Sequence, residues 1–260
     1  MVTKMKWHII SASVRGTSHI RNGLPNQDAI RWHSDSDSGL LVIMAVSDGH
    51  GSRKSFRSDR GSVFAVETAL ETMKDFLRCQ PGDNFTSVKR IAEEQIPKEI
   101  VKRWKERVMA DIRNCKNLEC LADPFIAYGA TLLTVLLTES FIICFQIGDG
   151  DILTIWENGE VERPVPEDDR LFANETTSLC TKEAWRDFRF RFQVITDSPP
   201  KLILLATDGY ANSFRDDKSF VKVGSDIRHI IESEGPGFVS KNLENWLNEA
   251  TQAGSGDDIT

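Results

Sequence analysis

The stretch Leu40–Gly51, LLVIMAVSDGHG, constrains this chain more than any other. A run of mostly branched apolar residues, Leu41 to Val46, stops abruptly at Ser47-Asp48-Gly49-His50-Gly51. Such a run reads as a buried strand bounded by turn chemistry. The strand delivers a carboxylate, an imidazole and two glycines to one edge of a sheet. A carboxylate fixed at a strand end is a good ligand for a hard metal ion, and glycine lets a backbone carbonyl approach the same ion. A lone Asp-Gly pair is more often a tight turn with a solvated acid. The companions of this one, farther along the chain, decide against that.

Trp7 to Val14 reads as a first strand, leading into Arg15-Gly16-Thr17-Ser18-His19. Asn22-Gly23 and Pro25-Asn26 are turn signals, so Gln27-Asp28 sits where a loop re-enters a strand over Ala29–His33. Residues 35–39 form a hairpin-type loop. Asp28 and Asp48 are thereby expected near one sheet edge. Between Asp59 and Arg113 the period becomes helical. One stripe runs Val63, Val66, Leu70, Met73, Leu77 and closes at Pro81-Gly82-Asp83. A second runs from Val88 to Ile112, with Pro97 expected to bend or break it. These helices are expected to pack on a sheet.

Strands return after Ile126 as a meander, with Glu139-Ser140 and Asn158-Gly159 as turns and Gly148-Asp149-Gly150-Asp151 between strands. Residues 164–183 are polar and aperiodic, a candidate flap. Phe188, Phe190 and Phe192 alternate with polar residues, and Leu202–Ala206 ends in Thr207-Asp208-Gly209. Helical segments around 227–231 and 243–250 precede Ser255-Gly256-Asp257-Asp258-Ile259-Thr260. No repeat or linker divides the chain, so residues 1–260 read as one domain.

The formal net charge of −7 argues against a nucleic-acid partner. Five scattered cysteines fit free thiols in a reducing compartment, and none has the partners of a zinc site. With no signal-peptide pattern and no apolar run long enough for a membrane span, the expected location is the cytoplasm. What stands out is acids at strand ends: Asp28, Asp48, Asp149, Asp208 and Asp257, most beside a glycine. Carboxylates with almost no His or Cys ligands suit Mg²⁺ or Mn²⁺. Converging on two ions, they would make the two-metal arrangement that hydrolyses phosphate esters.

In order, the chain carries PNQDA (Pro25–Ala29), VSDGHGS (Val46–Ser52), YGATLLTV (Tyr128–Val135), IGDGD (Ile147–Asp151), LLATDGY (Leu204–Tyr210) and SGDDIT (Ser255–Thr260). This series resembles the PPM-type, or type 2C, metal-dependent Ser/Thr protein phosphatases, in the form of a bacterial-type stand-alone domain. The resemblance implies an α+β, four-layer α-β-β-α sandwich, with two mainly antiparallel sheets flanked by helix pairs. It implies that Asp48 bridges two Mn²⁺ or Mg²⁺ ions, with the Gly49 carbonyl completing one shell. Asp208 and Asp257 would bind one metal, and Asp28 would hold metal-bound water on the other side. A metal-bridging hydroxide would be the nucleophile and His50 the general acid. Phosphorylated proteins, made by an opposing Ser/Thr kinase, would be the substrates, with no nucleic-acid or membrane partner.

The pattern has departures. Gln27 stands where family members commonly carry Glu; it can still hydrogen-bond a metal water but adds no charge. Gly23 stands where a phosphate-clamping Arg is frequent, which leaves Arg21 or Arg15 as substitutes. Asp149 resembles the acid of an additional, weaker metal site whose usual partner is replaced by Asn212. The chain ends at Ile259-Thr260, where the family continues along a strand. Two other readings compete: a catalytically weak type 2C-like scaffold or regulatory module, and a different phosphoesterase such as one for nucleotides. Retention of the acids and His50 argues against the first, and the lack of a nucleotide signature against the second.

Overall fold

The computed structural model describes residues 6–35, 40–79, 84–115, 122–166, 177–196 and 198–260. The expected hairpin loop at 36–39, the turn at 81–83, Cys120 and the middle of the expected flap, 167–176, lie outside the described residues. Two sheets carry the fold. The larger consists of β1 (Ala29–Ser34), β2 (Val42–Ser47), β3 (Leu132–Leu137), β4 (Phe141–Ile147) and β7 (Arg189–Val194), paired antiparallel in that order. The smaller has the order β6 (Val161–Glu162), β5 (Asp151–Ile155), β8 (Leu202–Ala206), also antiparallel.

Strands β3 and β4 are buried along their whole length, which is why their sequences are continuous apolar runs rather than alternating ones. Side chains still divide by parity. Leu132, Leu136, Phe141, Ile143 and Phe145 face α2 (Ser58–Cys79) and α3 (Phe85–Arg113). Leu133, Val135, Leu137, Ile142 and Cys144 face the second sheet, where Ile152, Ile203 and Leu205 meet them. On the far side of that sheet, Phe220 of α5 (Asp217–Glu234) packs on Leu153 and Ile155. Helix α6 (Pro236–Ala253) packs beside α5. The result is the four-layer α-β-β-α sandwich.

Two expectations change. Helix α3 runs unbroken past Pro97. The lost backbone donor is outweighed by burial of Ile96, Ile100, Val101 and Trp104 around it, and the Trp104 indole donates to the Gly61 carbonyl at 2.9 Å. Trp7–Val14 is not a strand: among the described residues its only β-pairing is the bridge Val14–Ile259. Trp7 and Ile9 still pack on the inter-sheet core. An apolar cavity of about 540 Å³ lies between that segment, Met44, β8 and the Val239–Leu247 face of α6. Cys79, Cys115, Cys144 and Cys180 are free thiols, as expected.

Candidate metal centre

The register of β1 on β2, Ala29 opposite Ser47, carries Asp28 and Asp48 just past the paired ends of neighbouring strands. The loop after β2 is then fixed by backbone bonds. Gly49 N–H donates to the Gln27 carbonyl at 3.1 Å, and His50 N–H to the Gly129 carbonyl at 3.0 Å. Thr131 closes the other side: its N–H donates to the Asp48 carbonyl at 2.8 Å, and its hydroxyl accepts from Asp48 N–H at 3.0 Å. This close docking accounts for two of the motif glycines. A Cβ at Gly49 would lie 2.6 Å from the Ser58 carbonyl oxygen, and one at Gly129 would lie 2.5 Å from the His50 ring. Among the described residues no hydrogen bond is made to the Gly49 carbonyl, which leaves it available to an ion.

Asp149 arrives on the turn between β4 and β5, opened by Gly148 at φ 100°, and Asp208 on the first residue of α4 (Asp208–Ala211), directly after β8. Carboxylate oxygens of Asp48, Asp149 and Asp208 lie within 4.8 Å of one another. Burial and mutual repulsion push Asp28, Asp48 and Asp208 upward. Asp48 is held well above its ordinary range by desolvation and by Asp28, Asp208, Asp257 and Asp149. Asp208 rises to about 6 through burial and then Asp149 and Asp257. Asp28 rises to about 8, chiefly through burial, although Thr207 Oγ1 donates to its Oδ2 at 2.7 Å. Packing carboxylates this closely in low dielectric disfavours their charged forms, and a bound cation reverses that penalty. An all-oxygen donor set with unmet negative charge fits divalent Mg²⁺ or Mn²⁺.

The remaining acid behaves differently. Asp257 follows α6, and its oxygen groups with His19 and Asp258 rather than with the first three. Sequence reasoning passed over both of these partners. Asp258 is buried and accepts from Gly16 N–H and Gln27 N–H at 2.6 Å each, and it binds the His19 Nδ1 at 2.8 Å. The only sequence signal was its position beside Asp257; His19 had none beyond being one of five histidines. Asn212 Nδ2 donates to Asp208 Oδ2 at 3.0 Å, so it reaches the centre as a hydrogen-bond donor. His50 is largely removed from water, which lowers its pKa from 6.5, with Asp149 opposing.

The two expected phosphate clamps are placed apart from these acids. Arg15 donates to the His19 carbonyl at 3.1 Å, and Arg21 is exposed at the end of α1 (Thr17–Asn22). Neither is within ion-pair distance of a site carboxylate among the described residues. Of the basic residues after the DGHG motif, Arg57 and Arg60 pair with Asp111, while Arg53 and Lys54 are exposed. The end of the expected flap touches the site from behind: Leu179 N–H donates to the Ala130 carbonyl, and Thr177 Oγ1 accepts from Gly148 N–H.

The sequence profile described as Protein phosphatase 2C matches residues 15–248. Serine/threonine-protein phosphatase 3 of Escherichia coli K12 is 27% identical over 184 residues, covering 69% of this chain and 65% of the relative. The match therefore spans just under two thirds of that relative's length. Among solved structures, the serine/threonine phosphatase Stp1 of Staphylococcus aureus superposes with a TM-score of 0.59 at 14% identity, over 100% of this chain and 96% of that one. The catalytic domain of the phosphatase PstP, solved with two manganese ions, gives a TM-score of 0.55 at 15% identity, over 95% and 93%. These two likenesses establish the shared sandwich fold. With the profile covering most of its length, the chain belongs to the protein phosphatase 2C family.

Proposed function

We propose that this protein is a metal-dependent phosphatase that removes phosphate from phosphoserine and phosphothreonine in proteins. The observation that carries the reading is the convergence of Asp48, Asp149 and Asp208 within 4.8 Å, with Asp28 and Asp257 close enough to raise the pKa of Asp48, and Asp257 that of Asp208. Asp48, Asp208, Asp257 and the Gly49 carbonyl would hold two Mn²⁺ or Mg²⁺ ions, with Asp28 ordering water and Asp149 serving a weaker additional ion. Bound divalent ions neutralise phosphoryl oxygens and acidify the attacking water.

The chain's own groups do the rest. His50 stands on the loop locked by Gly129 and Thr131, beside Asp149. In its protonated form it hands a proton to the departing seryl or threonyl oxygen, a poor leaving group without one. Burial lowers its pKa, while Asp149 and the dianionic substrate favour the imidazolium. Thr207 fixes the Asp28 carboxylate, and Thr207 Oγ1 itself accepts from Thr260 N–H at 3.0 Å. Arg21, exposed on α1, and Arg15 remain the guanidinium candidates for a phosphopeptide. No helix of the described residues is long and apolar enough to cross a membrane, and cytoplasmic phosphoproteins, opposed by a Ser/Thr kinase, are the proposed substrates.

The test is hydrolysis of phosphopeptides and of an aryl phosphate with Mn²⁺ or Mg²⁺, with and without excess chelator. Activity should vanish reversibly on chelation. His50→Ala should slow alkyl ester hydrolysis by about 10²-fold or more, the usual worth of a positioned acid, and slow the aryl ester less. Undiminished turnover in chelator would refute the metal mechanism, and equal losses on both esters would remove His50 from the acid role.

A further inference from the structure

The sequence presents a centre made of oxygen ligands; the fold adds a nitrogen. Asp258 accepts two backbone N–H groups, from Gly16 and Gln27, so its buried carboxylate acts as an acceptor. The His19 Nδ1, 2.8 Å from Asp258 Oδ2, must then be the donor in that contact. In the neutral ring this leaves the lone pair on Nε2, and Nε2 faces Asp257 Oδ1 at 3.6 Å. Two acceptor atoms at that separation make no hydrogen bond to each other. A third acceptor lies nearby. Gln27 is 6% exposed, and its Oε1 is buried with no hydrogen-bond partner. A Cβ built on Gly51 would lie 3.3 Å from that oxygen and 3.9 Å from His19 Nε2, so both atoms line the same side of the DGHG loop. Three converging acceptors with no donor among them describe a cation site.

The geometry points to His19 Nε2 as a metal ligand, sharing with Asp257 the divalent ion on the α1 side of the centre, while Gln27 Oε1 takes a water of that ion. The inference rests on the reading that this centre binds divalent ions. Asp258 completes a carboxylate–histidine–metal arrangement, in which the acceptor behind the ring fixes its tautomer and orientation. The consequence is metal choice. A nitrogen ligand disfavours the hard, oxygen-demanding Mg²⁺ more than the softer transition ion Mn²⁺, so His19 biases this site toward Mn²⁺ over Mg²⁺.

Pulsed electron paramagnetic resonance of the Mn²⁺-loaded protein tests this without turnover. A directly bound imidazole nitrogen should appear as ¹⁴N coupling, persist in His50→Ala and disappear in His19→Gln. Calorimetric titration with Mn²⁺ and Mg²⁺ alone should show His19→Gln losing Mn²⁺ affinity by about 10-fold or more at one site, with Mg²⁺ affinity changed far less. Mn²⁺ bound without any ¹⁴N coupling, in the unaltered protein, would overturn the inference: His19 would then be an ion-pair partner of the two acids, and the phosphatase reading would stand. Failure of the unaltered protein to bind Mn²⁺ at all would overturn both. The spectrum of the unaltered protein decides the question even if the His19 variant does not fold.

Discussion

The two groups of acids differ in how their charge is met. Asp48, Asp149 and Asp208 face one another, and the strongest influences on Asp48 and Asp208 are burial and other carboxylates. Asp258 is more deeply buried than any of the three but is surrounded by donors: two backbone amides and an imidazole. The first group is unfavourable until something positive arrives; the second is complete within the protein. On the proposed function, one binds the ions and the other holds the binding residues in place. The same residue type thus serves opposite ends, and the hydrogen-bond inventory around each carboxylate tells them apart.

The sharpest way to break this comparison is to neutralise one acid in each group. Asp48→Asn or Asp208→Asn should cut activity by about 10³-fold, at the upper end of what single transition-state-stabilising groups contribute. Calorimetry should show metal affinity falling with it. The metal-free fold should be no less stable, because a strained charge has been removed. Asp258→Asn should do the reverse, lowering stability by about 2 kcal/mol as an amide N–H₂ is turned toward donors. Similar thermal unfolding changes in both variants would erase the distinction.

Acid–base linkage tests the same contrast by a smaller, graded effect. Asp28 sits near 8 and Asp208 near 6 in the fold, against an ordinary 3.8. Both bind protons more tightly folded than unfolded, so their contribution to stability is full below about pH 4. It is lost as pH rises through 6 and then 8. In chelator, the unfolding free energy should fall between pH 5 and pH 8, by on the order of a few kcal/mol at most. Added Mn²⁺ should flatten the profile. A metal-free protein that is equally stable across that range would mean that these acids are better solvated than their burial indicates.

The smallest effect concerns Asn212. Its amide donates to Asp208 Oδ2, so Asn212→Asp exchanges a donor for a further charge beside Asp208. Metal titrations should show the weaker phase of activity moving to lower metal concentration by a few-fold, under about 10-fold. Asp149→Ala should remove that phase. A single phase that neither change moves would exclude Asp149 from metal binding.

Sequence alone determined the strands that matter. Leu41–Val46 could be little else than a buried strand, and its abrupt end in Asp48-Gly49-His50 fixed a carboxylate and an imidazole at a sheet edge. The alternation around β7 and the helical spacing in α2 were legible because each reflects which face meets the core, and the continuous apolar runs of β3 and β4 because both their faces are covered. Local pattern allowed a break at Pro97 that does not occur and misjudged Trp7–Val14, since a helix interior and a paired strand depend on neighbours far along the chain. Only tertiary structure decided how the acids divide. Asp257 and Asp258 are adjacent in sequence, yet residues 16 and 27 supply donors to Asp258 alone. Likewise His19 gains meaning only when α1 is laid against the chain after α6, because a ring nitrogen's role is set by the atoms facing both of its sides.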